Sequence, residues 1–140
     1  MLLSDLTTMR VGGPAGMLVS PGTRDELVAT ALDVWASGDE WLVLGGGSNV
    51  VVGDQGFDGS VIRVLTKGIW VLPIDEASRD ATAVHLRVEA GESWDALVAH
   101  AVANGWAGIE ALSGIHGRAG AGPMRDIGAY GQELAHTLVS

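Results

Sequence analysis

Two glycine-rich tracts are the parts of this chain whose residue types and spacing could do chemistry. The first is Leu44-Gly45-Gly46-Gly47-Ser48-Asn49-Val50. Consecutive glycines let backbone amides converge on an anion without Cβ obstruction, and Ser48 and Asn49 add side-chain donors, so this tract suits a phosphate cradle. It matches neither the dinucleotide fingerprint, whose glycines open a helix, nor the Walker loop, which needs a lysine and a hydroxyl at fixed spacing. A tight turn between two strands is the alternative reading, since glycine turns are common. The second tract runs from Ile109 to Glu133 and includes Ser113-Gly114-Ile115-His116-Gly117-Arg118-Ala119-Gly120-Ala121-Gly122 and Ile127-Gly128-Ala129-Tyr130-Gly131. A loop beyond roughly 12 to 15 residues in a compact domain is usually functional or disordered, and the interleaved apolar residues favour order. Close approach of backbone to a large flat ligand is a physical reason for such a segment.

Other reactive side chains form no constellation. His85, His100 and His136 are scattered, with no partner at a metal-ligand spacing, and read as surface or helix-face residues. His116 stands apart because it lies inside the second tract. Glu110, at the entry to that tract, suits either a buried carboxylate capping backbone donors or a hydrogen bond to a ligand. Trp35 and Trp94 fall on helix faces and Trp41 on a buried strand, so all three read as core. The chain has no cysteine, which excludes disulfides, thiolate metal sites and cysteine nucleophiles.

The elements that must position the tracts follow from periodicity. Thr23-Arg24-Asp25-Glu26 is a capping box that starts a helix; Leu27, Val28, Ala31, Leu32 and Trp35 share one face, and Gly38 stops it. Trp41 to Leu44 is a short apolar strand running into Gly45. Val50-Val51-Val52 and Val61 to Val64 are further strands, separated by turn chemistry from Gly53 to Gly59. Met17-Leu18-Val19 is a parallel partner for the Leu42 strand across the helix, a compact βαβ unit. Ile69 to Ile74 and Val84 to Glu89 read as an antiparallel pair flanking a polar loop from Asp75 to Thr82. Ser93 caps a helix with Trp94, Leu97, Val98, Ala101 and Val102 on one face, ended by Asn104-Gly105. From Gly105 to Gly131 only loops and short turns are expected.

Composition agrees with one ordinary domain: 140 residues, 47% hydrophobic, 18% charged and 21 glycines. Seventeen acids against eight bases give a formal charge of −9, which repels nucleic acid and anionic lipid. No apolar run reaches the roughly 20 residues of a membrane span, and no export signal is seen, so a cytoplasmic protein is expected, without nucleic-acid or membrane partners.

Several motifs then follow one another in a familiar order: Thr7-Thr8-Met9-Arg10-Val11-Gly12-Gly13-Pro14-Ala15, Leu44 to Asn49, Gly56-Phe57-Asp58-Gly59, Ala90-Gly91-Glu92-Ser93-Trp94, Gly108-Ile109-Glu110 and Ile127 to Glu133. Together, across essentially the whole chain, they resemble the UDP-N-acetylenolpyruvoylglucosamine reductase family. The resemblance implies an α+β fold of the FAD-binding type shared with vanillyl-alcohol oxidase and p-cresol methylhydroxylase. It implies two small α/β subdomains; the order of elements along the chain puts their boundary near Thr66 to Gly68, giving residues 1–67 and 68–140, the second expected to be incomplete at its C-terminal end. By resemblance, Gly45, Gly46, Gly47, Ser48 and Asn49 cradle the pyrophosphate of non-covalent FAD. Ser113, Gly114, Ile115, Gly117, Gly120, Gly122 and Ile127 belong to the flavin-side segment, and Tyr130 stands near the substrate.

The family reaction uses NADPH to reduce FAD and then reduces the enolpyruvyl ether of a UDP-sugar to UDP-N-acetylmuramate, in peptidoglycan synthesis. The serine, arginine and glutamate that assist it are expected downstream of Ser140, as is the substrate domain. The chain alone is therefore expected to be inactive. An oxidase of the same flavoprotein fold and a non-catalytic nucleotide-binding module are the competing functions. The chain departs from the family at His116, Arg118 and Arg125-Asp126, where a proline, a small polar residue and an amide pair are usual. The resemblance assigns these four no role, although an added arginine could meet a phosphate.

Overall fold

The computed structural model describes residues 1–73 and 82–139. Strand β1 (Ala15–Val19), helix α1 (Arg24–Ser37), strand β2 (Trp41–Leu44) and strand β3 (Phe57–Arg63) build the first half. The helix begins where the capping box predicts: Thr23 Oγ1 accepts from Glu26 N–H, and Glu26 accepts in return from Thr23 N–H at 3.1 Å. It ends at Gly38, whose φ of 76° is the left-handed conformation that glycine adopts without a Cβ clash.

The strands are parallel, as expected, but their order is β1-β3-β2, so β1 and β2 are not neighbours. Leu18 and Leu42 both pair with Val61, one from each side. Ser60, Val61 and Ile62 are consecutive and all buried, the pattern of a strand covered on both faces. Such a run belongs in the middle of the sheet, in the slot that the β1-α1-β2 crossover leaves open.

Three other expectations are corrected here. Val50-Val51-Val52 is not a strand. The Gly53 carbonyl accepts from Gly13 and Gly56 N–H and turns the chain back toward β3, while Val50 and Val52 pack as irregular segments on Leu3, Leu44 and Val61. Helix α1 buries Val34, with Leu27, Thr30 and Ala31 half-buried, whereas Val28, Leu32 and Trp35 are exposed. The apolar stripe is wider than a three-stranded sheet can cover, so one edge of it remains outside. Trp35 and Trp41 are likewise 55% and 49% exposed and pack on each other, ring centroids 6.1 Å apart, rather than entering the core.

In the second half, β4 (Ile69–Val71) and β5 (Leu86–Val88) pair antiparallel as expected. Ile74 and the loop through residue 81 lie outside the described residues. Helix α2 (Trp94–Ala103) is capped by Ser93, which accepts from Ala96 N–H, and it buries Trp94, Leu97, Val98 and Ala101. Val102 is exposed. Leu112, Ile127 and Leu134 complete this second core cluster. The tract after α2 holds only a 3-10 turn at Glu110–Leu112, the short helix α3 (Ala121–Met124) and a hairpin of β6 (Gly128–Ala129) and β7 (Gln132–Glu133). Among the described residues no helix is long and apolar enough to cross a membrane.

Candidate functional site

The fold brings the two glycine tracts together. The first leaves the buried end of β2 at Leu44; Gly47 is buried with φ 68°, and its carbonyl accepts from Thr8 N–H at 3.0 Å. The second crosses it at Gly117. A Cβ placed on Gly46 would lie 3.3 Å from Gly117 Cα, so glycine is what permits this approach. Ser48 Oγ donates to the His116 carbonyl at 3.3 Å and ties the tracts across the junction. That hydroxyl, expected as a free phosphate donor, has a structural acceptor.

Two runs of backbone amide lie at this junction. Among the described residues, the N–H groups of Gly46, Gly47, Ser48 and Asn49 find no acceptor, and neither do those of Ile115, His116, Gly117 and Arg118. These eight donors, in two loops that meet at Gly46 and Gly117, are open to an acceptor from outside, whether water or an anionic ligand.

The second tract is held by the Ala90-to-Trp94 motif and by Asp95, which the sequence did not single out. Trp94 N–H donates to the Gly117 carbonyl at 3.1 Å, and Ala119 and Gly120 N–H donate to the Glu92 and Ala90 carbonyls, each at 2.9 Å. Asp95 Oδ1 accepts from Gly114 N–H at 2.8 Å and from Ser113 Oγ at 3.2 Å. Ser113 and Gly114 are thus anchored to the start of α2. Gly120 and Gly122 pack closely on the protein: a Cβ on Gly120 would strike Ala90, and one on Gly122 would strike Leu134. Ile127 is a core residue, 8% exposed. The junction itself is therefore made by Gly45 to Asn49 with Ile115 to Arg118.

His116, Arg118 and Arg125 line one small cavity of about 10 Å³, beside Trp94, Ile115 and Gly117, and no carboxylate lines it. Tyr130 stands elsewhere. It occupies the tip of the β6–β7 hairpin, 95% exposed, with φ 52° followed by 84° at Gly131, the pair of positive values that tight hairpin turns use. It lines an open concavity of about 340 Å³ with Asp126, Gln132 and Glu133.

Glu110 is exposed, which corrects the buried part of the expectation, and it caps the Gly108 N–H. Its carboxylate is held below the ordinary range by its own backbone N–H and that of Gly108, with help from the Gln132 amide. His100 packs edge-on against Trp106 at 5.6 Å, and among the described residues no group of three His, Cys, Asp or Glu could hold a metal ion.

Glu92 joins the two halves. Its carboxylate accepts from Lys67 Nζ at 3.0 Å, Gly68 N–H at 3.2 Å and Ser93 N–H at 3.0 Å. Beside it, Thr66 Oγ1 accepts from the buried Gly91 N–H at 3.2 Å. Partial burial pushes the Glu92 carboxyl up, but the Lys67 contact and the two backbone donors outweigh it and hold the group below its ordinary value. A carboxyl whose folded pKa is depressed contributes stability that is present above its unfolded pKa and lost as pH falls through the folded one. The stability difference between wild type and Glu92→Gln is therefore expected to be constant near neutral pH and to shrink in acid, below the ordinary glutamate range. Urea unfolding at a series of pH values checks this; a difference that does not change in acid would rule it out.

A parallel sheet ending in a glycine loop, met by a second loop with unpaired amides, is an arrangement suited to the phosphates of a nucleotide. Residues 15–140 match the FAD binding domain family, and the chain belongs to that family. Its α+β fold is the one expected.

Over 137 residues the chain is 57% identical to UDP-N-acetylenolpyruvoylglucosamine reductase of Leifsonia xyli subsp. xyli, covering 98% of this chain and 35% of that protein. The enzyme of the same name from Thermobifida fusca is 50% identical, with 98% and 37% covered. The crystal structure of UDP-N-acetylenolpyruvylglucosamine reductase from Thermus caldophilus superposes with a TM-score of 0.70 at 32% identity, covering 96% of this chain and 44% of that one. The chain thus spans about a third of the length of the curated relatives it matches.

Proposed function

We propose that this chain is the FAD-holding part of a UDP-N-acetylenolpyruvoylglucosamine reductase, working in the cytoplasm in peptidoglycan synthesis. The observation that carries the reading is the two runs of unpaired amides at Gly46 to Asn49 and Ile115 to Arg118. The FAD diphosphate fits there: it is an acceptor-only group, and the junction offers donors without Cβ obstruction. FAD, when bound, supplies the relay by which electrons from NADPH reach the enolpyruvyl double bond of the UDP-sugar.

The chain's own residues bind and orient. Gly45 to Asn49 hold the diphosphate from the first subdomain, residues 1–67, and Ile115 to Arg118 close on it from the second, residues 68–140. Ser113 and Gly114, fixed by Asp95, and Gly120 and Gly122, packed on Ala90 and Leu134, keep the flavin-side segment in place, with Ile127 packed in the Trp94 cluster. Tyr130, at the exposed tip of the β6–β7 hairpin, is the residue on this reading that meets the substrate.

The direct test is titration of the purified protein with FAD, followed by flavin fluorescence and absorbance. Saturable uptake of one FAD, released on denaturation, is expected. Protein that takes up no FAD overturns the reading.

A further inference from the structure

We infer that Arg118 is a charged clamp on the diphosphate, a role that rests on the FAD reading above and adds a residue to it. Arg118 is fixed in place from both sides. Gly117 before it accepts from Trp94 N–H, and Ala119 after it donates to Glu92. Its aliphatic stem then lies across the first tract: a Cβ on Gly45 would meet Arg118 Cγ at 3.5 Å, and one on Gly46 would meet it at 3.8 Å.

The guanidinium finds no ion pair or hydrogen bond among the described residues, although the chain carries seventeen acids against eight bases. Its surroundings explain this. Arg118 lines its cavity with His116 and Arg125, and no carboxylate lines it. Two arginines beside backbone donors, with no carboxylate lining their cavity, are complementary to an anion. A diphosphate suits a guanidinium, whose planar fork gives two parallel charge-assisted hydrogen bonds.

The overall charge of −9 gives this clamp a purpose. A dinucleotide anion approaching such a chain meets a repulsive field, and a local cationic focus at the mouth of the cradle offsets it. A small polar residue at this position could donate one hydrogen bond and no charge.

The test compares FAD titrations of wild type, Arg118→Ser and Arg118→Lys at low salt and at about 0.5 M salt, where charge interactions across solvent are screened. Circular dichroism and melting temperature confirm that each variant is folded. Arg118→Ser is expected to bind FAD about tenfold more weakly at low salt, the scale of one charge-assisted contact. The gap is expected to narrow at high salt, with Arg118→Lys in between. A loss below about threefold at low salt, or equal losses for Ser and Lys that ignore salt, overturns the clamp and leaves the FAD reading standing. Wild-type protein that binds no FAD overturns both.

Discussion

Gly47→Ala is expected to abolish measurable FAD binding and to lower the stability of the protein by about 2–4 kcal/mol, through positive-φ strain and overpacking together. Gly47 has φ 68°, where an alanine Cβ is already strained. The added carbon would also be driven well inside contact distance of the Leu6 carbonyl oxygen. That neighbour is backbone, packed beside the fully buried Leu3, and cannot swing aside as a side-chain tip would. Relief comes only from moving the loop, which breaks the Thr8 to Gly47 hydrogen bond and carries the free amides away from the junction. The other two glycines grade the effect. At Gly46 the new Cβ would lie 3.3 Å from Gly117 Cα, so the tracts must part by a few tenths of an ångström, and affinity falls more than stability. At Gly45 the first obstacle is the flexible stem of Arg118 at 3.5 Å, an ordinary contact, so stability stays near wild type. Urea unfolding and FAD titration of the three variants check the order; a Gly47→Ala protein as stable as wild type would contradict it.

What was legible in the sequence was local. Thr23 and Glu26, Ser93 and Gly38 were readable because capping is a matter of residues within one helical turn. The face of α2 was readable because Trp94, Leu97, Val98 and Ala101 bury a narrow stripe. The face of α1 was not, because its apolar stripe is broad and only the width of the sheet decides which part is covered. The place of β3 between β1 and β2 depends on long-range pairing that chain order does not encode, and Val50 to Val52 lost its strand to a turn closed by Gly13. The glycine tracts announced themselves by composition, whereas their crossing depends on backbone pairing between Ala90 to Trp94 and Gly117 to Gly120. The packing of Gly120 on Ala90 and of Gly122 on Leu134 was not legible, because packing and ligand approach leave the same mark in a sequence. Glu92 and Asp95 flank a helix start, where an acid is ordinary, so neither their long-range partners nor the anchoring of Gly114 could be read from local sequence.

Trp94→Ala should be the most destabilising single change outside the glycine loops, costing about 3–5 kcal/mol. The ring is 2% exposed at the centre of the cluster formed by Leu97, Val98, Leu112, Ile127 and Leu134, and its Nε1 donates to the Leu112 carbonyl at 2.9 Å. Trp94→Phe keeps most of the volume but strands that carbonyl, a loss of about 1–3 kcal/mol. Both changes reach the site indirectly, because Leu112 and Ile127 of the second tract pack in the Trp94 cluster, while the Trp94 N–H that holds Gly117 is backbone and survives either substitution. FAD binding to the folded form therefore changes little, and the variants lose occupancy only because fewer molecules are folded. A ligand that binds only the native state shifts that balance by mass action. Saturating FAD should raise the melting temperature of Trp94→Phe by about as much as it raises that of wild type, and should fail to raise that of Gly47→Ala, whose lesion is in the cradle. Equal rescue of both by FAD would mean that the first glycine tract does not hold the diphosphate.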